Sequence, residues 1–148
     1  MARPRPEGLD AEWMAHALRA MSYFNVWLYR SSRGRLGQIW LHGAPLCLLT
    51  TTGRHTGKPR TAPLVYWQRE SQVAVVAARG GLPGTPQWYL NLQANPEAEL
   101  QMGAEVRKVR ARTAEGEERA KLWRRLLRVY PDYDDYQAWA DEPLPVVR

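Results

Sequence analysis

"LCLLTTTGRHTGKPRTAPLVYW", residues 46–67, sets two apolar runs on either side of a short basic segment. The first run ends in Thr50, Thr51 and Thr52, and the second follows Arg60. Between them Gly53 and Gly57 stand four residues apart, beside Arg54, His55 and Lys58. Short runs of β-branched and apolar residues around a glycine-bearing turn predict two strands, over 45–52 and 60–68, joined as a hairpin. A strand-to-helix phosphate loop is a poor match: the glycine-to-lysine spacing is one residue short, and Pro59 stands where that loop needs a hydroxyl. The tip then has two readings. It is either a plain hairpin with solvated cations, or an anion cradle built from threonine hydroxyls, backbone N–H groups and the guanidinium forks of Arg54 and Arg60.

Outward from this hairpin the pattern stays antiparallel. Gln72 to Arg79, "QVAVVAAR", predicts a third strand, and "GGLPGTP" (80–86) a loop. Thr85 is placed to cap a short helix, "QWYLNLQAN", with Pro86 at its first position, and Asn95-Pro96 ends it. Glu99 to Met102 and Val106 to Arg112 predict a hairpin around Gly103, its second strand wet on the face of Lys108, Arg110 and Arg112. "EGEERAKLWRRLLRVY" (115–130) is an amphipathic helix with Ala120, Trp123, Leu126, Leu127 and Tyr130 as the expected buried stripe. Residues 133–140 predict one more short helix, and "LPVV" (144–147) a final strand. At the other end, residues 1–9 are Pro- and Arg-rich and expected to be loose, while 10–30 predict a wide amphipathic helix capped by Asp10. The order lacks βαβ units. It predicts an α+β domain over 10–148: a small split antiparallel β-barrel decorated by helices.

At 148 residues, 45% hydrophobic and 24% charged, the chain suits one soluble domain. It has no apolar run long enough to span a bilayer and no apolar leader core, so a cytoplasmic location is expected. The lone Cys47 sits inside an apolar run and reads as a buried, inert thiol. The net charge is +6, and no Asp or Glu occurs between Glu12 and Glu70, an interval holding eight Lys or Arg residues. One side of the fold is therefore expected to be positive and to favour an anionic partner. Nucleic acid is set aside, because the aromatic-basic strand pattern of an RNA-recognition module is missing.

Two further constellations qualify. Arg79-Gly80-Gly81 ends a strand ahead of a helix whose positive end points back at it. Tyr130, Tyr133 and Tyr136 recur every three residues, followed by Trp139, as a pocket lining or as a packing stripe. His16, His42 and His55 have no metal-ligand spacing, so no metal is expected. No serine sits in a nucleophile elbow.

Taken in this order, "LLTTTGRHTGKPRTAPL", "VVAARGG" with "P.WYLNLQANP", "EERAKLWRRLLRVYPDYDDYQ" and "LPVV" resemble the deazaflavin-dependent nitroreductase family over roughly residues 15–147. The resemblance implies a split barrel binding coenzyme F420, with hydride passed from the reduced deazaflavin to a quinone such as menaquinone or to a nitroaromatic. It implies that Arg54, His55, Thr56, Lys58 and Arg60 hold the phosphodiester and polyglutamate tail. Thr61, Ala62, Pro63, Leu64 and Val65, with Val76, Ala77, Ala78 and Arg79, would flank the ring. Gln87, Trp88, Tyr89, Leu90 and Asn91 would close the other side. Tyr130, Tyr133 and Tyr136 would line the acceptor pocket, Tyr133 being the first choice for a phenol bonded to the acceptor oxygen. The family usually carries Lys at His55 and Ser-Lys at Ala78-Arg79. Other expectations remain beside it: an F420 carrier with little turnover, an FMN-binding split barrel, a monomer or a homodimer, and peripheral membrane contact through the helix at 10–30 and Arg30, Arg33 and Arg35.

Overall fold

The computed structural model describes residues 4, 20, 24, 26–32, 44–78, 84–140 and 143–148. The expected loose terminus, most of the helix at 10–30, Arg33, Arg35, His16, His42 and Arg79 to Gly81 lie outside the described residues. Strand β1 (Leu46–Thr52) pairs antiparallel with β2 (Pro59–Val65), Leu46 opposite Val65 and Thr52 opposite Pro59. On its other edge β1 pairs with β5 (Glu97–Met102), which pairs in turn with β6 (Glu105–Arg110). A second sheet runs β3 (Trp67–Arg69), β4 (Gln72–Val76) and β7 (Val146–Val147), all antiparallel. The chain passes from the first sheet to the second at Tyr66, whose N–H donates to the Pro45 carbonyl at 3.3 Å. At the far side the two sheets meet again, where Arg112 and Arg148 exchange backbone hydrogen bonds of 2.9 and 2.8 Å. This α+β arrangement of two antiparallel sheets joined at both seams is a split barrel.

Alternation along the strands builds two cores. Cys47 and Leu49 of β1 face an inner core with Val75, Leu100, Met102 and Val147. Leu46 and Leu48 face an outer core with Ala74, Val76 and Val146. Side chains on successive strand residues point to opposite faces, so one run of four apolar residues serves both. Helical residues 26–31 form α1, which lays Tyr29 into the outer core. Helix α2 (Gln87–Ala94) caps the inner core with Trp88, Tyr89 and Leu92. Helices α3 (Gly116–Val129) and α4 (Tyr133–Trp139) cover the outer core.

Several boundaries differ from the sequence reading. The strand expected over 60–68 divides at Tyr66 between the two sheets, because a barrel this small must turn its strands sharply. The third strand ends at Val76; Ala77 turns its N–H to the Pro145 carbonyl at 2.9 Å. Thr85 does not cap α2. Pro86 still has extended backbone (φ −60°, ψ 142°) and occupies the capping position, its carbonyl accepting from the amides of Tyr89 and Leu90. On α3, Ala120 is exposed and Leu122 is buried. Leu122 and Leu126 are four apart on one helix face, and Trp123, Leu127 and Tyr130 of the expected stripe pack into the outer core with them.

Candidate cofactor and acceptor site

The β1–β2 tip is a tight loop. The Gly53 amide donates to the Lys58 carbonyl and the Gly57 amide to the Gly53 carbonyl, both at 2.8 Å. Gly57 has φ +70°, a left-handed conformation that glycine adopts without steric cost. Gly53 is buried, and a Cβ there would stand 2.9 Å from Thr56 Oγ1 and 3.1 Å from the Lys58 carbonyl, so the loop closes on itself at a point where only glycine fits. Arg54, His55, Thr56, Lys58 and Arg60 are all exposed at this tip.

One of these cations is held from below. Gln87 and Asn91 stand four residues apart on one face of α2, and both reach Arg54. Arg54 Nη2 donates to Gln87 Oε1 at 2.7 Å, and Nη1 donates to Asn91 Oδ1 at 2.9 Å. The Arg54 backbone N–H also donates to Asn91 Oδ1, at 3.2 Å. Asn91 is buried and is itself fixed, its Nδ2 donating to Thr51 Oγ1 at 3.2 Å. A guanidinium carries five N–H donors, so a fork anchored on one side still presents donors to an anion. Sequence reasoning placed Arg54, Gln87 and Asn91 in one site but missed this mutual contact and the part of Thr51. The i, i+4 spacing of Gln87 and Asn91 was the available signal.

Along β2, Thr61 to Leu64 are half-buried and Val65 is buried. Thr61 stands opposite Thr50, their hydroxyls 2.8 Å apart, and Arg30 of α1 donates to Thr61 Oγ1 at 2.7 Å. Arg30 thus joins the strand expected to flank the ring, a contact the sequence reading did not include. Ala62 and Leu64 lean on the inner core. Trp88 and Tyr89 are buried there too, edge to face at 6.1 Å, and the Tyr89 hydroxyl bonds Thr113 Oγ1 at 2.8 Å. Leu90 is half-buried.

A second group forms on the outer core. Val76, Ala78, Tyr130, Tyr133 and Tyr136 pack into one cluster. Tyr133 lies against Tyr130 (5.0 Å, edge to face), Tyr136 (6.0 Å) and Trp123 (6.3 Å). The Tyr130 and Tyr136 hydroxyls are 3.0 Å apart. Tyr130 and Tyr133 are buried and Tyr136 is half-buried. Burial, reinforced by its tyrosine neighbours, pushes the Tyr133 phenol well above its ordinary range. It stays protonated at any working pH, and so can donate a hydrogen bond but not serve as a base. Cys47 is fully buried, and burial pushes its thiol up to about 12, far from the thiolate that redox chemistry needs. Among the described residues no cluster of His, Cys, Asp or Glu could hold a metal, and no helix is long and apolar enough to cross a membrane.

Residues 21–148 match the family model described as F420H(2)-dependent quinone reductase. Rv3178 of Mycobacterium tuberculosis, a chain named for that family, is 41% identical over 113 residues, covering 76% of this chain and 95% of its own length. A solved F420-H2 dependent reductase (FDR-A) is 41% identical with a TM-score of 0.66, over 70% of this chain and 91% of the other. A structure described as a domain-swapped dimer is 34% identical with a TM-score of 0.69, over 90% and 96% of the two chains. With the split barrel and the basic hairpin already in place, these likenesses make the chain a member of the F420H2-dependent quinone reductase family.

Proposed function

We propose that the chain binds coenzyme F420 and, with the reduced form bound, reduces a quinone-type acceptor. The observation that carries this reading is the Arg54 fork, anchored on Gln87 and Asn91 beside the exposed Lys58 and Arg60 of an acid-free hairpin. Those residues fit a phosphodiester with an acidic tail: exposed cations at the tip, the Thr56 hydroxyl among them, and no carboxylate in the hairpin to repel it. Arg54, His55, Thr56, Lys58 and Arg60 hold that part. Thr61 to Val65, Val76 to Ala78, and the Gln87–Asn91 face border the ring. Bound F420H2 supplies a hydride. The chain's own part is to orient, to exclude water, and to offer a phenol O–H where negative charge grows on the acceptor oxygen. Tyr133 is that phenol in this reading, with the paired hydroxyls of Tyr130 and Tyr136 beside it.

A carrier with little turnover is the second reading. It is favoured by Ala78, which brings no hydroxyl to the tyrosine cluster, and by the burial of Tyr133. Parallel titrations with F420 and FMN, followed by F420H2 with menadione, separate the readings. We expect F420 to bind in preference to FMN and deazaflavin absorbance to return on adding menadione. Tyr133→Phe should slow that return at least tenfold with F420 affinity unchanged. Tight F420 binding without oxidation would leave the carrier.

The finer locations belong to the same proposal. Phe24 and, on α1, Trp27 are 59% and 62% exposed, with ring centroids 6.1 Å apart, and Arg30 of the same helix is exposed. Amphipathic aromatics next to a cation suit the headgroup layer of an anionic bilayer. Phosphatidylglycerol vesicles should therefore sediment the native chain, and Trp27→Ser should abolish most of that pelleting. Equal pelleting of both would remove the contact.

A further inference from the structure

We propose that the gap in the inner core is a second ligand site, which takes a small lipophilic monocarboxylate. The space between the sheets is not filled. It holds a cavity of about 370 Å³, near the lower end of the roughly 300–1,000 Å³ typical of small-molecule sites. Its walls are aliphatic: Leu49 and Leu100 from β1 and β5, Val73 and Val75 from β4, Val109 from β6 and Leu92 from α2. Its polar lining is concentrated in Ser71, Gln72 and three arginines, Arg110, Arg112 and Arg148. None of the residues assigned to F420 borders it except through the shared barrel wall. A ring with a phosphodiester and a peptide tail is too large and too polar for such a hole.

The chemistry of the lining selects the ligand class. An apolar body is favoured by the aliphatic walls, which offer no hydrogen-bond partner to a polar one. The arginine side favours a single anionic head. Among the described residues, these guanidiniums pair with Glu118 and Glu97. Glu118 bridges Arg112 and Arg148 at 2.6 and 2.7 Å. Glu97 engages Arg110. The Arg110 and Glu97 side chains are 72% and 60% exposed, and an exposed pair of this kind is held weakly and exchanges partners readily. Arg110 is thus the cation best able to turn to an incoming carboxylate, while the bridged pair stays fixed. The proposal does not depend on the F420 reading, since it uses other residues and another ligand.

Calorimetric titration of the full chain with decanoate and with decan-1-ol tests it. Decanoate should bind one-to-one, and decan-1-ol at least tenfold more weakly. Arg110→Gln should raise the decanoate Kd about tenfold, the scale of one lost charge-assisted contact. Val109→Phe, which fills the cavity from its half-buried rim, should abolish decanoate binding while F420 affinity holds. No saturable heat with decanoate overturns the site, as does undiminished binding in Val109→Phe. Equal affinity for the alcohol overturns the anionic head. Should Val109→Phe not fold, backbone amide shifts decide instead. Shifts at Val73, Val75 and Val147 on adding decanoate support the site, and shifts confined to residues 54–58 overturn it.

Discussion

Asn91 carries more than its size suggests. Its side-chain oxygen takes both the backbone N–H and the guanidinium of Arg54, and its amide nitrogen is spent on Thr51. Replacing it with Leu would leave the buried Thr51 hydroxyl and the Arg54 amide without their partner. Stability should fall by about 1–3 kcal/mol, the cost of stranding buried polar groups. F420 affinity should fall too, because Arg54 would no longer be pre-oriented. Asn91→Asp, which keeps the acceptor, should recover affinity better than stability. Thermal unfolding and a fluorescence titration with F420 read the two effects separately. A loss of stability without a loss of affinity would make Asn91 a packing residue only. At this scale the sequence showed residue types but not partners. Arg54 was legible as a candidate because no acid surrounds it. That Asn91 and Thr51 hold it was not, since the contacts join residues 37 and 40 positions apart. The tyrosines show the converse. Their three-residue spacing was plain, and of its two readings the packing stripe is what the outer core displays.

Among the elements, α3 is tied to the barrel at its first turn. Glu118 accepts from Arg112 at the end of the β6 run and from Arg148 beside β7, so one carboxylate pins a helix to the seam between the sheets. The hydrogen bonds from Arg112 lead in holding its carboxyl down to about 2, well below the usual carboxylate range. A group whose folded pKa is depressed adds stability above its unfolded pKa, and loses it as pH falls toward the folded value. The contribution of Glu118 should therefore be intact at neutral pH and vanish between about pH 4.5 and about pH 2. In chemical denaturation, Glu118→Gln should lower the midpoint at pH 7 and leave it unchanged near pH 2. A constant gap between variant and native across that range would refute the assignment. Helix α3 itself was legible from its apolar period. Its facing was legible too, since Trp123, Leu126, Leu127 and Tyr130 all meet the outer core; the one misplaced member was Ala120, exposed where Leu122 is buried. Loop-to-element boundaries were least legible. The break at Tyr66 follows from closing a small barrel, a demand made by strands far along the chain.

For the whole molecule, the sequence disclosed the class of fold through its run of short strands without crossovers, and the positive half through its missing acids. It did not disclose that a single strand separates two cores. β1 has a hydrogen-bonded neighbour on each edge and packed side chains on each face. Its amides have no local route to solvent. In a deuterium-exchange experiment, the amides of Leu48 to Thr51 should exchange only when the entire domain opens, whereas those of residues 54–58 should exchange through small local motions. Exchange at β1 then becomes an internal gauge of total stability. Adding F420 should slow it by the full factor set by ligand concentration over dissociation constant, even though the strand's interior never meets the ligand.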